Sequence, residues 1–132
     1  YFQGMYPDRP IYNNLHQVTR EVSASTGACL MVRRDVFLEA GGFDESFKIS
    51  GNDVDFCLRV EKLGYRNLWT SDSQLIHKES MTRQKDRISF PDEKMMWRRW
   101  ESQFLAKDPF YNSNFTSEAA VCELPRLANP SV

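Results

Sequence analysis

No stretch of the 132 residues approaches the roughly 20 consecutive apolar residues that a helix needs to cross a bilayer. A spanning helix within this sequence is therefore excluded, and so is a signal-like segment after Met5. Charge of one sign is also missing. Seventeen basic and 18 acidic residues are interspersed and leave a net charge of −1, so no extended field exists to hold nucleic acid or an anionic membrane. Cysteine is scarce and odd in number: Cys29, Cys57 and Cys122 lie far apart, which argues against a disulfide framework and for a reducing, cytoplasmic compartment. Membrane association would have to come from parts of a longer parent.

What is present suits one globular domain, with 41% hydrophobic and 13% aromatic residues. Tyr1-Phe2-Gln3-Gly4 ahead of Met5 has the form of the scar left by a tag-cleaving protease. Residues 5–24, rich in Pro, Asn and Arg, predict an irregular arm with at most one short helix. Thr26 to Val32 (TGACLMV) is an apolar run of strand length that predicts a buried strand. Asp35 is placed to cap a short helix through Val36, Phe37, Leu38 and Ala40, which Gly41-Gly42 would stop.

After Gly51, the stretch NDVDFCLRVEKLG puts Val54, Cys57 and Leu58 on one helical face and Phe56, Val60 and Leu63 on an adjoining one. This helix should be mostly buried and end at Gly64. Tyr65–Trp69 and Gln74–His77, either side of a polar turn, predict two further short strands. Pro91 opens a last helix with Asp92 and Glu93 at its positive end, and Met96, Trp100 and Phe104 recur toward Lys107 to form a face for the sheet. Asp108-Pro109 stops that helix, and residues 117–132 read as an irregular tail. The fold class is α/β: a small mixed sheet with packed helices, whose exposed edges make the piece look incomplete alone. A second copy of the chain could cover those edges, so a homodimer is one expectation.

The chemistry concentrates at the start of the central helix, where Asn52, Asp53 and Asp55 follow Gly51. In structural terms, Asn52 would cap the helix, Asp53 would favour its dipole, and Asp55 would pair with Arg59 one turn on. In functional terms, an aspartate fixed at a helix start can take a proton from a substrate hydroxyl. Both readings stand on residue type and spacing alone. His77, closing an apolar run and followed by Lys78, Glu79, Ser80 and Arg83, could serve a metal and a phosphate, or could simply pack at a strand end. Trp69 and Trp100 have core spacing rather than that of sugar platforms. Asn114-Phe115-Thr116 has the form of a glycosylation acceptor, which the cysteine usage makes a coincidence.

Several segments taken in order resemble family 2 glycosyltransferases of the GT-A fold. They are TGACLMVRRDVF from Thr26, GGFDESF from Gly41, NDVDFCLRVEKLGYRNLWT from Asn52, IHKES with Arg83, and DPFYNSNFT from Asp108. The resemblance covers roughly Ser25 to Thr116, so residues 25–116 would be the C-terminal, acceptor-side part of such a domain. It implies that Asp53, second of an acidic pair in the family, is the base that deprotonates the acceptor. The first of that pair is often Glu and here is Asn52. It implies a structural role for Asp55, a divalent metal (Mg or Mn) completed by His77, and Arg83 near the donor diphosphate. Many members carry two adjacent histidines, and here Lys78 takes the second place. Gly27, Ala28, Cys29 and Asn52 would border the acceptor.

The family's nucleotide-binding half, with its Asp-X-Asp motif, is not among these residues. The expected partners, a nucleotide-sugar donor and a glycan or other hydroxyl acceptor, therefore belong to the whole enzyme, and the chain alone is expected to be inactive. The alternative is a non-catalytic carbohydrate-binding or interaction module. A third reading, metal-dependent hydrolysis through Asp53, Asp55 and His77, has no specific support in the spacing.

Overall fold

The computed structural model describes residues 16–75, 90–106 and 108–111. In chain order these form strand β1 (Arg20–Glu21), a 3-10 turn (Gly27–Cys29), helix α1 (Arg34–Glu39), helix α2 (Asn52–Lys62), strand β2 (Leu68–Trp69) and helix α3 (Phe90–Leu105). The result is a small α/β arrangement with a two-stranded antiparallel sheet, in which Arg20 faces Trp69 and Glu21 faces Leu68. No helix among the described residues is long and apolar enough to cross a membrane.

Helix α2 is the centre of the packing. Its Leu58, with Val54 beside it, joins Phe47, Met96 and Trp100 in one cluster, while its Phe56 and Val60 join Val36 in a second that Leu30, Phe37, Ala40 and Tyr65 complete. These are the two faces that the spacing predicts, except that Leu63 is exposed and the buried Cys57 joins neither cluster. Each fully buried side chain of this kind contributes roughly 1.5–3 kcal/mol. Phe37, Phe43 and Phe56 meet with ring centroids 5.1–5.7 Å apart, a tilted and edge-on geometry that suits the ring quadrupoles.

The predicted stops hold. Gly41 and Gly42 both take positive φ after α1, and Gly64 does so after α2. The predicted caps do not. α1 begins at Arg34 with Arg33 as its N-cap, and Asp35 lies inside the first turn, where the Arg33 guanidinium engages both its carboxylate oxygens. Asn52 is likewise not the cap of α2. That position belongs to Gly51, and the Asn52 side chain accepts from the Asp53 amide at 3.0 Å.

Thr26–Val32 is not a buried strand. The Thr26 hydroxyl accepts from the Ala28 amide and folds the backbone into the 3-10 turn. Beyond it Leu30 has strand-like angles, yet no described residue supplies a ladder for 30–32 and Met31 is 97% exposed. The expected arm contains β1, so its C-terminal end is ordered by pairing with β2 rather than irregular. Of the two predicted later strands, the first shrinks to Leu68–Trp69. Gln74 and Leu75 form no strand, and the rest of the second lies outside the described residues, as does the tail.

Helix α3 runs as predicted from Phe90 but packs on α2 and the preceding loop rather than on the sheet. Met96 and Trp100 enter the first cluster, whereas Phe104 stays exposed against Trp97, with ring centroids 5.3 Å apart. Asp92 does more than favour the helix dipole. It is 1% exposed, and its carboxylate accepts from the amides of Lys48, Ile49 and Ser50 at 2.8–3.1 Å. The loop that delivers the chain to Gly51 is thus fastened from α3.

Gly51 is required twice over. Its φ is +87°, and a Cβ there would stand 2.9 Å from Met96 Cγ. A left-handed alanine costs about 1–2 kcal/mol before any clash. Gly51→Ala should therefore destabilise the protein by more than about 2 kcal/mol, read as a lower urea midpoint with an unchanged m-value.

Candidate functional site

The start of α2 carries two aspartates with opposite surroundings. Asp55 has no exposed surface. Its Oδ2 accepts from Arg59 Nε at 2.8 Å, and its Oδ1 accepts from Arg99 Nη1 at 2.8 Å and from the Trp100 indole at 2.9 Å. The predicted pair with Arg59 is present, and two donors from α3 join it. Arg59 continues to the carbonyls of Ala40 and Gly42 at the end of α1, the latter at 2.7 Å. Arg99 continues to Asp44 Oδ2 at 2.7 Å. The Ser46 hydroxyl and amide, and then Arg99, hold the Asp44 carboxyl well below the usual carboxylate range. Trp100, 2% exposed, departs from helical angles at φ −125°, ψ 18°, so the kink in α3 falls at the residue whose indole is tied to Asp55. Lys62 covers the same ring, its ammonium 4.4 Å from the centroid. Trp100 is core, as its spacing predicts.

Asp53 is half-buried. Its Oδ1 accepts from the Val54 amide and its Oδ2 from the Gly27 amide, each at 2.9 Å. Among the described residues no cation pairs with it. The 3-10 turn therefore sits against the carboxylate, and Gly27, Ala28 and Cys29 are all exposed there. The structure thus brings together Asp53, Asn52, Gly27 and Ala28, four of the residues that the sequence singles out. On the rim, Cys29 Sγ lies 4.0 Å from Ser73 Oγ. His77 and Arg83 lie outside the described residues.

Four hydrogen bonds here have no counterpart in the sequence reading. Cys57, one turn after Asp53, receives the Ser25 amide on its Sγ at 3.4 Å and donates to the Ser25 carbonyl at 3.7 Å. Asn67 Nδ2 donates to the carbonyls of both Ser23 and Cys57, at 3.1 and 3.0 Å. Burial pushes the Cys57 thiol up, the Ser25 backbone opposes this, and the charge of Asp53 adds to it. The i, i+4 relation of Asp53 and Cys57 was the available signal, but an apolar neighbourhood made the thiol look like packing alone. No three His, Cys, Asp or Glu side chains among the described residues converge to hold a metal ion.

Comparison with known proteins decides the family. The model described as Glycosyl transferase family group 2 matches residues 3–116. The chain belongs to this family. The O-antigen biosynthesis protein RfbC of Myxococcus xanthus is 38% identical over 109 residues, 82% of this chain and 8% of that protein. The uncharacterized protein y4gI of Sinorhizobium fredii is 38% identical over 109 residues, 77% of this chain and 12% of its own length. The N-acetylglucosaminyl-diphospho-decaprenol L-rhamnosyltransferase of Mycobacterium tuberculosis is 33% identical over 70 residues, 53% of this chain and 23% of that enzyme. The chain thus spans between 8% and 23% of the length of these relatives. No solved structure matches.

Two outcomes follow from the electrostatics. Asp55→Ala strands two guanidinium groups and a buried indole N–H, and should cost about 3–5 kcal/mol in chemical denaturation. The folded-state depression of Asp44 means that its stabilising contribution is complete above the unfolded value of about 3.9 and is lost as pH falls below it. Asp44→Asn should therefore flatten the dependence of stability on pH below about pH 4, measured by denaturant titration at a series of pH values.

Proposed function

We propose that this chain is the acceptor-side, C-terminal half of a glycosyltransferase domain of GT-A type, and that Asp53 is the base that activates the acceptor hydroxyl. The contrast between the two aspartates carries this reading. Asp55 is neutralised by two arginines and sealed from water, so its carboxylate is committed to structure. Asp53, two residues earlier, is oriented by backbone N–H groups alone beside an exposed turn. A carboxylate has about four acceptor sites, and two amides leave room for an incoming hydroxyl.

In the proposed step the acceptor O–H gives its proton to Asp53. The acceptor oxygen forms a bond to the anomeric carbon, and the bond from that carbon to the donor diphosphate breaks, its electron pair leaving with the nucleoside diphosphate. Attack from the side opposite the leaving group inverts the anomeric configuration. Gly27, Ala28 and Asn52 would border the acceptor, and Arg83 would meet the diphosphate. The described residues do not themselves form a metal centre. The expected Mg or Mn ion would be held by His77 together with ligands outside them.

The name of one relative specifies transfer of an L-rhamnosyl group to a diphospho-lipid-linked sugar. This chain would serve a nucleotide-sugar donor and a glycan or other hydroxyl acceptor, with the donor held mainly by a part of the enzyme beyond these residues. In the full-length protein, Asp53→Asn should lower turnover by roughly 10²–10⁴-fold with an unchanged circular dichroism spectrum. Wild-type turnover in that variant would overturn the assignment.

A further inference from the structure

We propose that the segment Ser23–Gly27 is a strap that sets the direction of the Asp53 carboxylate, with Gly27 and Cys57 as positioning residues. This inference rests on the reading of Asp53 as the base. Every second residue of the segment is fastened: Ser23 by Asn67, Ser25 by the Cys57 thiol, and Gly27 by Asp53. Thr26, between the last two, is extended at φ −70°, ψ 139°. Two extended residues advance about 6–7 Å and four helical residues about 6 Å. The Ser25-to-Gly27 step of the strap therefore matches the Cys57-to-Asp53 turn of the helix, and the two contacts form together.

The thiol acts through the backbone of a single residue. Its sulfur accepts from the Ser25 N–H and its hydrogen goes to the Ser25 carbonyl, so it holds the two peptide groups that flank the Ser25 Cα without a long side chain. Asn67 ties Ser23 and the carbonyl of Cys57 to the same point, which makes the thiol the middle of three fastenings. Gly27 then reaches the carboxylate as a bare backbone amide. A Cβ at Gly27 would stand 3.3 Å from Asp53 Cβ and 3.7 Å from Oδ2. An added methyl would therefore press on the same side chain whose orientation matters, and the neighbour would have to give by a few tenths of an ångström. The requirement at Gly27 is for space beside Asp53.

A base displaced by even a fraction of an ångström loses alignment with the hydroxyl while donor binding is untouched, because misplacement of about 1 Å can cost on the order of 10²-fold in rate. In the full-length protein, with nucleoside diphosphate release from a panel of nucleotide-sugars as the assay, Gly27→Ala should lower kcat by roughly 10-fold and leave the donor KM within about 2-fold. Cys57→Val, similar in size but unable to hold the Ser25 backbone, should do the same, and Cys57→Ser, which keeps a donor and an acceptor, should restore most of the rate. In the present chain the Gly27 amide should exchange with solvent at least about 10-fold more slowly than in Asp53→Ala, and Cys57→Val should move it toward that faster rate.

The outcomes separate the two assignments. Wild-type turnover in Asp53→Asn defeats the base, and this inference with it. If Asp53→Asn is inactive while Gly27→Ala and Cys57→Val both turn over like wild type, the base stands and the strap does not position it. A Gly27 amide that exchanges at the same rate with and without the Asp53 carboxylate overturns the strap without reference to activity.

Discussion

The described residues are organised around a carboxylate that water cannot reach. Asp55 sits on α2 between two apolar clusters, and its oxygens gather donors from α2 itself and from α3. Taking an ionised carboxylate out of water costs several kcal/mol, and the cost is offset only where charge and hydrogen bonds close around it. Here two guanidinium groups and an indole N–H close around it. The partners then pass the constraint outward: Arg59 reaches the end of α1, and Arg99 reaches the loop at Asp44. Three helices and a loop are fixed relative to one another by one buried charge. The apolar contacts supply most of the driving force, since burial of side chains is non-directional; the carboxylate supplies the directions.

That division explains which parts of the fold could be read from sequence. The two apolar faces of α2 follow from a period of 3.6 and need no knowledge of the partners. The glycine stops after α1 and α2 follow from backbone sterics. The i, i+4 pair of Asp55 and Arg59 is local and equally legible. Arg99 and Trp100, by contrast, lie more than 40 positions from Asp55, and nothing in their immediate neighbourhood shows that they face a carboxylate. Asp92 is the same case, since an acidic residue in a first helical turn suits the dipole whether or not three loop amides converge on it.

The misread strand has a different cause. Residues 26–32 carry the composition of a buried strand, and Leu30 adopts strand-like angles, but a strand is a relation between two segments and no described segment supplies the second. The same run also begins with Thr26, whose hydroxyl prefers a local amide and turns the backbone before any ladder could start. Local hydrogen bonding therefore won over periodicity at the point where the chain approaches Asp53. The acidic helix start at Asn52, Asp53 and Asp55 was legible as a cluster of residue types, whereas Gly27 and Ala28 joined it only through the family resemblance. The geometry of the site was not legible, because it depends on the Cys57 thiol, which compositional reasoning assigns to packing, and on the Gly27 backbone amide, which no side chain marks.

Two aspartates two positions apart on one helix point roughly 200° apart around its axis, and this angular separation allows one sequence motif to do two incompatible jobs. The inward residue must be stripped of water and surrounded by donors to hold the helices. The outward one must keep open lone pairs and a path to solvent if it is to accept a proton. Had the spacing been three or four, both carboxylates would share a face and repel each other, and the arginines that neutralise Asp55 would also reach Asp53 and quench it as a base. The buried carboxylate is then more than a neighbour of the candidate base. By tying α2 to α1 and α3, it fixes the helix from which Asp53 projects, leaving the short strap at Gly27 to determine only the final direction of the side chain.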